Sequence, residues 1–265
     1  MAVPVDAPPE VTPKARWVDT HGHLFLLNDD PGVVLDRATD AGVDWLVCPG
    51  VDGATAAESE RIASRYPDRV RWSAGLHPHE AERWGDESDV ITELASRADA
   101  VGECGLDYYR NLAPPEAQRV AFTAQVRIAD DLDKPIIIHC RDAFSDVYDV
   151  LERAGLGARA VLHCWTGGRR WTKRFRDLGV TFSFAGPLTY VTADTLRLGA
   201  AEAPPDSTMV ETDSPYLTPE PLRGSDNEPA NVGLTGRALA RVWGMSVEEV
   251  ASRTTATASR VFDRG

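Results

Sequence analysis

Short apolar stretches alternate with longer amphipathic stretches along this chain. Eight of the apolar stretches are rich in β-branched or aromatic residues, and one contains the uninterrupted run Ile136-Ile137-Ile138. Strands that are buried on both faces, as in a parallel sheet, have this composition. The eight predicted strands are Arg16–Asp19, Trp45–Cys48, Val70–Gly75, Ala100–Glu103, Pro135–His139, Ala160–His163, Thr181–Ala185 and Thr208–Glu211.

The stretches between the predicted strands have helical periodicity. In the first of them, Val34, Leu35 and Ala38 fall on one helix face. Pro114 and Pro115 precede Glu116 in another, and proline is well tolerated in the first turn of a helix. The predicted helices are Pro31–Ala41, Ala54–Arg65, Ser88–Arg97, Pro114–Asp131, Asp142–Ala154, Arg169–Leu178, Val191–Ala201, Leu234–Trp243 and Val247–Asp263.

This alternation predicts an α/β protein with a (β/α)₈ TIM barrel in a single domain over residues 1–265. An open, doubly wound sheet is the alternative, but no G-x-G-x-x-G motif follows the first strand. Residues 1–14 carry four prolines and no apolar core, so we expect a flexible tail rather than a signal peptide. Residues 215–229 form a proline-containing loop after the eighth strand, where a barrel carries active-site residues.

Composition narrows the class of protein. The 265 residues are 43% hydrophobic and 26% charged, which is ordinary for a globular protein and excludes general disorder. Four cysteines without C-x-x-C spacing disfavour a disulfide scaffold, so we expect a reduced, cytoplasmic protein. No run of 18 apolar residues predicts a membrane span. The net charge of −13 disfavours a broad basic surface for nucleic acid, but a local basic patch is compatible with it.

All six histidines lie at or just beyond the carboxyl ends of predicted strands. A single histidine at such a place is often an ordinary polar residue, but six of six at the face that carries barrel active sites favour metal binding. In the segment 21–23, the two histidines flank a glycine, so both imidazoles can reach the same point. The six are His21, His23, His77, His79, His139 and His163.

Two acidic residues extend this pattern. Glu103 follows an apolar run, where burial alone is costly and a pair of metal ions would neutralise it; an ion pair with an arginine is the alternative. Asp213 follows the eighth strand, which adjoins the first strand in a closed barrel, so it can bind metal and accept a proton from water. Four histidines and two acids suit two divalent ions. Cys140 and Cys164 directly follow two histidines, and we expect both to point away from them.

These residues fall in motifs that resemble those of the TatD family of metal-dependent deoxyribonucleases. The motifs follow the family's order from residue 19 to residue 229 and so cover nearly the whole chain. Three features depart from the family pattern: Cys104, Trp165 and a less basic segment before Asn231. These departures affect the prediction of the substrate but not of the metal ligands. The motifs are DTHGH at 19–23, GLHPH at 75–79, GECGLDYY at 102–109, HCRDA at 139–143, HCWTG at 163–167, ETDSPYL at 211–217 and NEP at 227–229.

The resemblance implies a barrel of the metal-dependent hydrolase type with two divalent cations, which are magnesium, manganese or zinc. The implied activity is hydrolysis of DNA phosphodiester bonds by water that the two metals activate, at ends or in single strands. The implied ligands are His21, His23, Glu103 and Asp213 for one ion, and Glu103, His139 and His163 for the other. The predicted catalytic residues are Asp213, Glu103 and His77, and the predicted substrate contacts are His77, His79, Arg141 and Asn227, with Arg110 as a further candidate.

For partners, we expect weak and salt-sensitive DNA binding, no membrane and no obligate protein partner. The basic residues between 169 and 176 are interpreted either as a local rim for DNA or as a solvated helix face. One alternative function is an amidohydrolase acting on a small amide, lactone or phosphoester. Many binuclear members of that class bridge their metals with a carboxylated lysine at the fourth strand, where this chain has Glu103. A non-catalytic metal-binding scaffold is the other alternative, which the complete ligand set with a candidate base disfavours.

Overall fold

The computed structural model describes residues 15–262, and its centre is one sheet of eight parallel strands. Each strand pairs with the next one along the chain, from the first to the eighth. The end of the chain's last strand then meets the first, because Thr20 N donates to Val210 O (3.2 Å) and Asp213 N donates to His21 O (2.8 Å). The strands are β1 (Trp17–Asp19), β2 (Val43–Pro49), β3 (Val70–Ala74), β4 (Ala100–Asp107), β5 (Ile136–Arg141), β6 (Ala160–Leu162), β7 (Thr181–Phe184) and β8 (Thr208–Val210).

Nine α-helices alternate with and follow these strands within the described residues. The sequential strand order confirms the predicted (β/α)₈ barrel, since a doubly wound sheet reverses its strand order near the centre. The helices are α1 (Pro31–Ala41), α2 (Gly53–Arg65), α3 (Trp84–Arg97), α4 (Pro115–Asp131), α5 (Phe144–Ala154), α6 (Arg169–Asp177), α7 (Asp194–Ala200), α8 (Val232–Trp243) and α9 (Val247–Phe262).

Residues with suitable local chemistry mark the ends of the helices. The Asp30 side chain accepts a hydrogen bond from Gly32 N (2.8 Å) at the start of α1, and Pro31 occupies the first helical position. Gly42, in the left-handed conformation with φ of 97°, ends the same helix. These signals explain why the predicted and observed bounds of α1 are identical.

One strand boundary differs from the prediction in a way that affects the site. β4 continues to Asp107 instead of ending at Glu103. All eight of its side chains are buried, and Asp107 pairs with Arg141 of β5. The sequence did not predict this continuation. Polar residues near the end of β4 indicated exposure to solvent, but they are buried at the barrel mouth. As a result, two carboxylates of one strand point into the same region.

An apolar layer fills the barrel beneath its carboxyl end. In β5, Ile137 and His139 are two residues apart and therefore point to the same inner side. Val161 and His163 have the same spacing, and His163 N continues the parallel pairing by donating to Ile138 O (3.1 Å). The layer thus supports both histidines from below. It consists of Val18, Val47, Ala100, Ile137, Val161 and Met209, and α9 closes it with Ala258, Val261 and Phe262.

A second, larger apolar cluster lies between the sheet and the surrounding helices. Cys140 packs into this outer cluster but also lines the cavity beside the neighbouring His139, so the alternation predicted for adjacent strand residues holds only in part. Cys48 and Cys104 are also buried there. Cys164 is partly buried and also lines the cavity, so it does not point away from the site as predicted.

The two chain ends are outside this description. Residues 1–14, where the sequence predicts a flexible tail, lie outside the described residues, as do residues 263–265. The single domain over 1–265 stays a prediction. In the part of the chain from 15 to 262, no helix combines the length and the apolar composition needed to cross a membrane.

Candidate metal centre

The six predicted metal ligands meet at the carboxyl end of the barrel, above the apolar layer. The segment after β1 supplies two histidines and β4 supplies the glutamate. β5 and the residue after β6 supply one histidine each, and the segment after β8 supplies the aspartate. Four of the six are buried and two are partly buried. They are His21, His23, Glu103, His139, His163 and Asp213.

Glu103 lies at the centre of this group, and its two carboxylate oxygens face different histidines. Oε2 lies 3.2 Å from His21 Nε2 and 3.9 Å from His23 Nε2. Oε1 lies 2.9 Å from His163 Nε2 and 3.1 Å from His139 Nδ1. One carboxylate therefore stands between two groups of donors, an arrangement that suits a pair of cations sharing one ligand.

Asp213 joins the first of these groups. Its Oδ1 atom lies 3.7 Å from His21 Nε2 and 3.6 Å from His23 Nε2. One ligand atom of each of these three residues lies within 4.8 Å of the others, close enough for a shared cation. The backbone bond from Asp213 N to His21 O places the acid there, so the meeting of the last and first strands brings the three together.

The environment of His21 shows that a cation fits this group. The imidazole is completely buried, and neither ring nitrogen forms a hydrogen bond with any described residue. Nε2 is near Glu103 Oε2, but the geometry is not that of a hydrogen bond. Buried polar atoms almost always have a partner. Imidazole nitrogens and carboxylate oxygens are common ligands of divalent metals, so the residues present fit such an ion.

Charge interactions at the centre perturb several pKa values. Burial raises the pKa of Glu103, but the surrounding imidazoles, His163 first among them, outweigh burial and hold that pKa well below its usual value. Burial lowers the pKa of His21. Burial also opposes protonation of His163, but Glu103 and Glu211 outweigh it and raise the His163 pKa well above its ordinary value. A proton therefore competes with a cation at His163.

Two buried carboxylates, to which the sequence analysis gave no role, contact His139 and His163. Each contact is on the side of the ring away from Glu103. Asp107 Oδ2 lies 3.2 Å from His139 Nε2, the ring nitrogen opposite the one that faces Glu103. Glu211 Oε1 lies 3.2 Å from His163 Nδ1, again on the far side of the ring. Carboxylates in such positions set the tautomer and orientation of a metal-binding imidazole. Asp107 and Glu211 are therefore placed to orient these two rings.

A cavity of about 680 Å³ opens above the centre, and three of the four predicted substrate contacts line it. These are Arg141 at the end of β5 and two histidines of the segment after β3. His77 Nε2 lies 3.4 Å from Glu103 Oε1, and His79 Nε2 lies 2.9 Å from Asp107 Oδ2. Ligand atoms of His77, Glu103 and His139 lie within 4.8 Å of one another, so the geometry also allows His77 to bind a cation.

The fourth predicted substrate contact, Asn227, does not line the cavity. Its side chain is completely buried, and Nδ2 donates to Thr212 O (2.9 Å) and to Tyr216 O (2.7 Å). Oδ1 accepts a hydrogen bond from Glu228 N (3.0 Å). The amide is fully engaged with the protein, which contradicts the prediction of a substrate contact. Asn227 instead holds the chain on both sides of Asp213 in place.

The basic residues of α6 do not form a rim around the cavity. None of them lines it. Three of them face a single acid, Glu202, at 2.8, 3.6 and 3.7 Å: Arg169, Lys173 and Arg176. The remaining two arginines of this cluster lie over the ring of Trp171. Of the two interpretations, the structure favours the outer helix face.

Comparison with known proteins identifies the family. The family model described as TatD related DNase matches residues 18–263. The uncharacterized metal-dependent hydrolase YabD of Bacillus subtilis (strain 168) is 35% identical over 250 residues, covering 92% of this chain and 98% of that protein. The 3'-5' ssDNA/RNA exonuclease TatD of Pectobacterium parmentieri (strain WPP163) is 35% identical over 238 residues, covering 86% and 92%.

Solved structures agree with these relatives. The crystal structure of YJJV, a TatD homologue from Escherichia coli k12, matches with a TM-score of 0.85 and 27% identity, over 95% of this chain and 99% of that one. The family match extends over nearly all of the described barrel, and the two relatives align over most of their own length. This chain therefore belongs to the TatD family of metal-dependent hydrolases.

Proposed function

We propose that this chain is a nuclease that uses two divalent cations to hydrolyse DNA phosphodiester bonds, at ends or in single strands. The observation that carries the proposal is the position of Glu103, whose two oxygens face separate groups of donors. Paired cations suit displacement at phosphorus, because they act on both the attacking and the leaving oxygen. The similarity to the Pectobacterium relative, a 3'-5' ssDNA/RNA exonuclease by name, supports nucleic acid as the substrate class.

The donors divide between two positions. When bound, magnesium, manganese or zinc ions would lower the pKa of a water molecule and neutralise the charge that develops on the phosphoryl oxygens. The residues that would hold the first ion are His21, His23, Asp213 and Glu103 through Oε2. Those that would hold the second ion are His139, His163 and Glu103 through Oε1.

Asp213 is placed to accept the proton of the attacking water. Burial raises its pKa, but its contact with His23 and the charges of nearby histidines outweigh burial and hold the pKa below its usual value. The side chain is therefore a carboxylate at neutral pH, which is the form that a general base requires. Its partial exposure gives it access to the cavity.

The cavity supplies donors for the phosphate itself. Arg110 and Arg141 line it together with His77, and guanidinium groups match the geometry of phosphate oxygens. The net charge of −13 means that a strand is attracted only locally, at these groups and at the bound cations. Binding should accordingly be weak and sensitive to salt.

A substrate panel tests the proposal. Purified protein is supplied in turn with magnesium, manganese or zinc and offered single-stranded DNA, duplex DNA, RNA, mononucleotides and lactones. We expect hydrolysis of DNA strands, fastest on single strands. Turnover confined to lactones, amides or small phosphoesters would instead support the amidohydrolase alternative. In residues 15–262, no lysine lines the cavity to provide the carboxylated bridge of many such enzymes.

His77→Ala should lower turnover about a hundredfold, the loss typical of removing one transition-state donor, and leave both metals bound. The reason is that His77 reaches the cavity mouth while the other histidines suffice as ligands. Metal content by mass spectrometry, measured beside the rate, separates the two roles of this residue. His163→Ala is the comparison, because it should lose mainly one metal. A His77→Ala protein that loses metal to the same extent would make His77 a ligand.

A further inference from the structure

Large apolar side chains stand exposed at the cavity. Tyr216 is 54% exposed and lines the cavity directly. Leu112 (63% exposed) also lines it, and Tyr109 (62% exposed) lies under Arg141, another lining residue. Exposed apolar and aromatic side chains at a charged cavity differ from scattered surface residues, because a ligand in the cavity can contact them.

The backbone at Tyr216 is held in place by two hydrogen bonds. Its backbone nitrogen donates to Asp213 O (2.9 Å), and its backbone oxygen accepts from the buried amide of Asn227 (2.7 Å). The ring centroid lies 6.3 Å from that of His23. The backbone that carries this ring is therefore held next to the first group of metal donors, so little backbone freedom is lost when a ligand binds.

The second surface is fixed to the other group of donors. Tyr109 N donates to Asp107 Oδ1 (3.0 Å), and the other oxygen of the same carboxylate contacts His139. The exposed guanidinium of Arg141 lies over the Tyr109 ring, with Cζ 4.1 Å from the ring centroid. Stacked arginine and tyrosine present a flat, positively charged face towards solvent.

We propose that Tyr216 and the Tyr109–Arg141 pair are two stacking platforms for unpaired nucleobases at the cavity above the metal centre. This inference rests on the proposed function and specifies how that site recognises its substrate. Every base has a flat face that stacks on an aromatic ring or a guanidinium plane, so the platforms accept any sequence. Bases in an intact duplex are already stacked and paired, so the platforms select single strands.

Stacking also allows a protein with a strongly negative net charge to bind a nucleic-acid strand. With a net charge of −13, the protein cannot hold a strand through a wide basic surface. Contacts to bases need no such surface, and they act at the two positions adjoining the cavity. The proposed recognition is therefore short, covering the nucleotides next to the scissile bond.

The test measures binding separately from turnover. Fluorescence anisotropy is recorded for the metal-loaded protein with a short oligothymidylate containing phosphorothioate linkages, and with an abasic strand of the same length and linkages. The two probes carry equal charge and differ only in their bases. The wild-type protein should bind the thymidylate strand more tightly than the abasic strand, by about tenfold or more for each platform.

Variants assign this preference to the two platforms. Tyr216→Ala should weaken thymidylate binding about tenfold and leave abasic binding unchanged, and Tyr109→Ala should weaken thymidylate binding more than abasic binding, since Arg141 stacks on the Tyr109 ring. Tyr216→Phe, which keeps the ring, should retain the preference. Val120→Ala is the control, since Val120 is similarly exposed on α4 and does not line the cavity. Circular dichroism checks that each variant folds.

The outcomes distinguish this inference from the proposed function. Equal wild-type affinity for the two strands would overturn the platforms, and so would tyrosine variants that weaken both strands alike. If base-dependent binding is present but no phosphodiester is hydrolysed with any metal, the proposed function fails and the platforms stand. If strands are hydrolysed without any preference for bases, the function stands and the platforms fail.

Discussion

Glu103→Gln is expected to weaken both metal positions together and to lower the hydrolysis rate by about three powers of ten or more, equivalent to about 4 kcal/mol. Glutamine keeps the shape of the side chain, but its amide nitrogen cannot coordinate a cation and its charge is zero. Because the two oxygens face different donor groups, the loss cannot be confined to one of them. The apolar layer lies below the centre, so circular dichroism should remain that of the wild type.

Asp107→Asn is the matched control for this experiment. It makes the same change from carboxylate to amide in a buried side chain of the same strand, but one that contacts His139 from outside. We expect a ten- to hundredfold loss of metal affinity, mainly at one of the two positions. This loss is typical when a carboxylate that contacts a metal-binding histidine is removed. Metal stoichiometry and rate are measured on both variants. Two tightly bound metals and a near-normal rate in Glu103→Gln would show that Glu103 bridges nothing.

Asp213→Asn should give the second large effect, a fall in rate of about 10²–10⁴ that persists at saturating metal. Asparagine cannot take a proton from water, and its neutral amide is a poorer ligand than a carboxylate. The side chain has contacts to both His21 and His23, so some loss of metal affinity accompanies the loss of rate. Rates measured against metal concentration separate these two contributions.

His163→Ala provides the comparison for Asp213→Asn. It removes a ligand of the other group without removing a candidate base, so added metal should restore part of its rate. Rate plotted against metal concentration should therefore rise towards the wild-type value for His163→Ala and level off far below it for Asp213→Asn. Full recovery of Asp213→Asn in excess metal would make Asp213 a ligand only.

Much of the fold could be predicted from the pattern of apolar residues in the strands, because this pattern depends on short-range geometry. Ile137 and His139 share one side of β5 by simple alternation, so an apolar core residue below implies a side chain at the mouth above. The helix ends follow from local capping, as Asp30 and Gly42 show for α1. Each of these relations spans only a few residues, and neither depends on the rest of the chain.

Residues whose role depends on distant partners were assigned less well. Asn227 sits in a motif beside the site and was assigned to substrate, but its amide is consumed by Thr212 and Tyr216. Glu211 was given no role, because its contact with His163 joins segments that follow two strands that are not neighbours. Asp107 was missed because β4 was predicted to end four residues earlier.

By itself, the sequence determined the barrel, its strand order and the six side chains gathered at its mouth, because apolar alternation and parallel connections place every strand end on one face. Only the tertiary structure decided which imidazole nitrogen faces Glu103, which acids hold the rings from behind and which amide is buried. It also decided that Tyr216 and Tyr109 stand exposed beside the centre. These features depend on distances between segments far apart in the chain, and such distances arise only when the barrel closes.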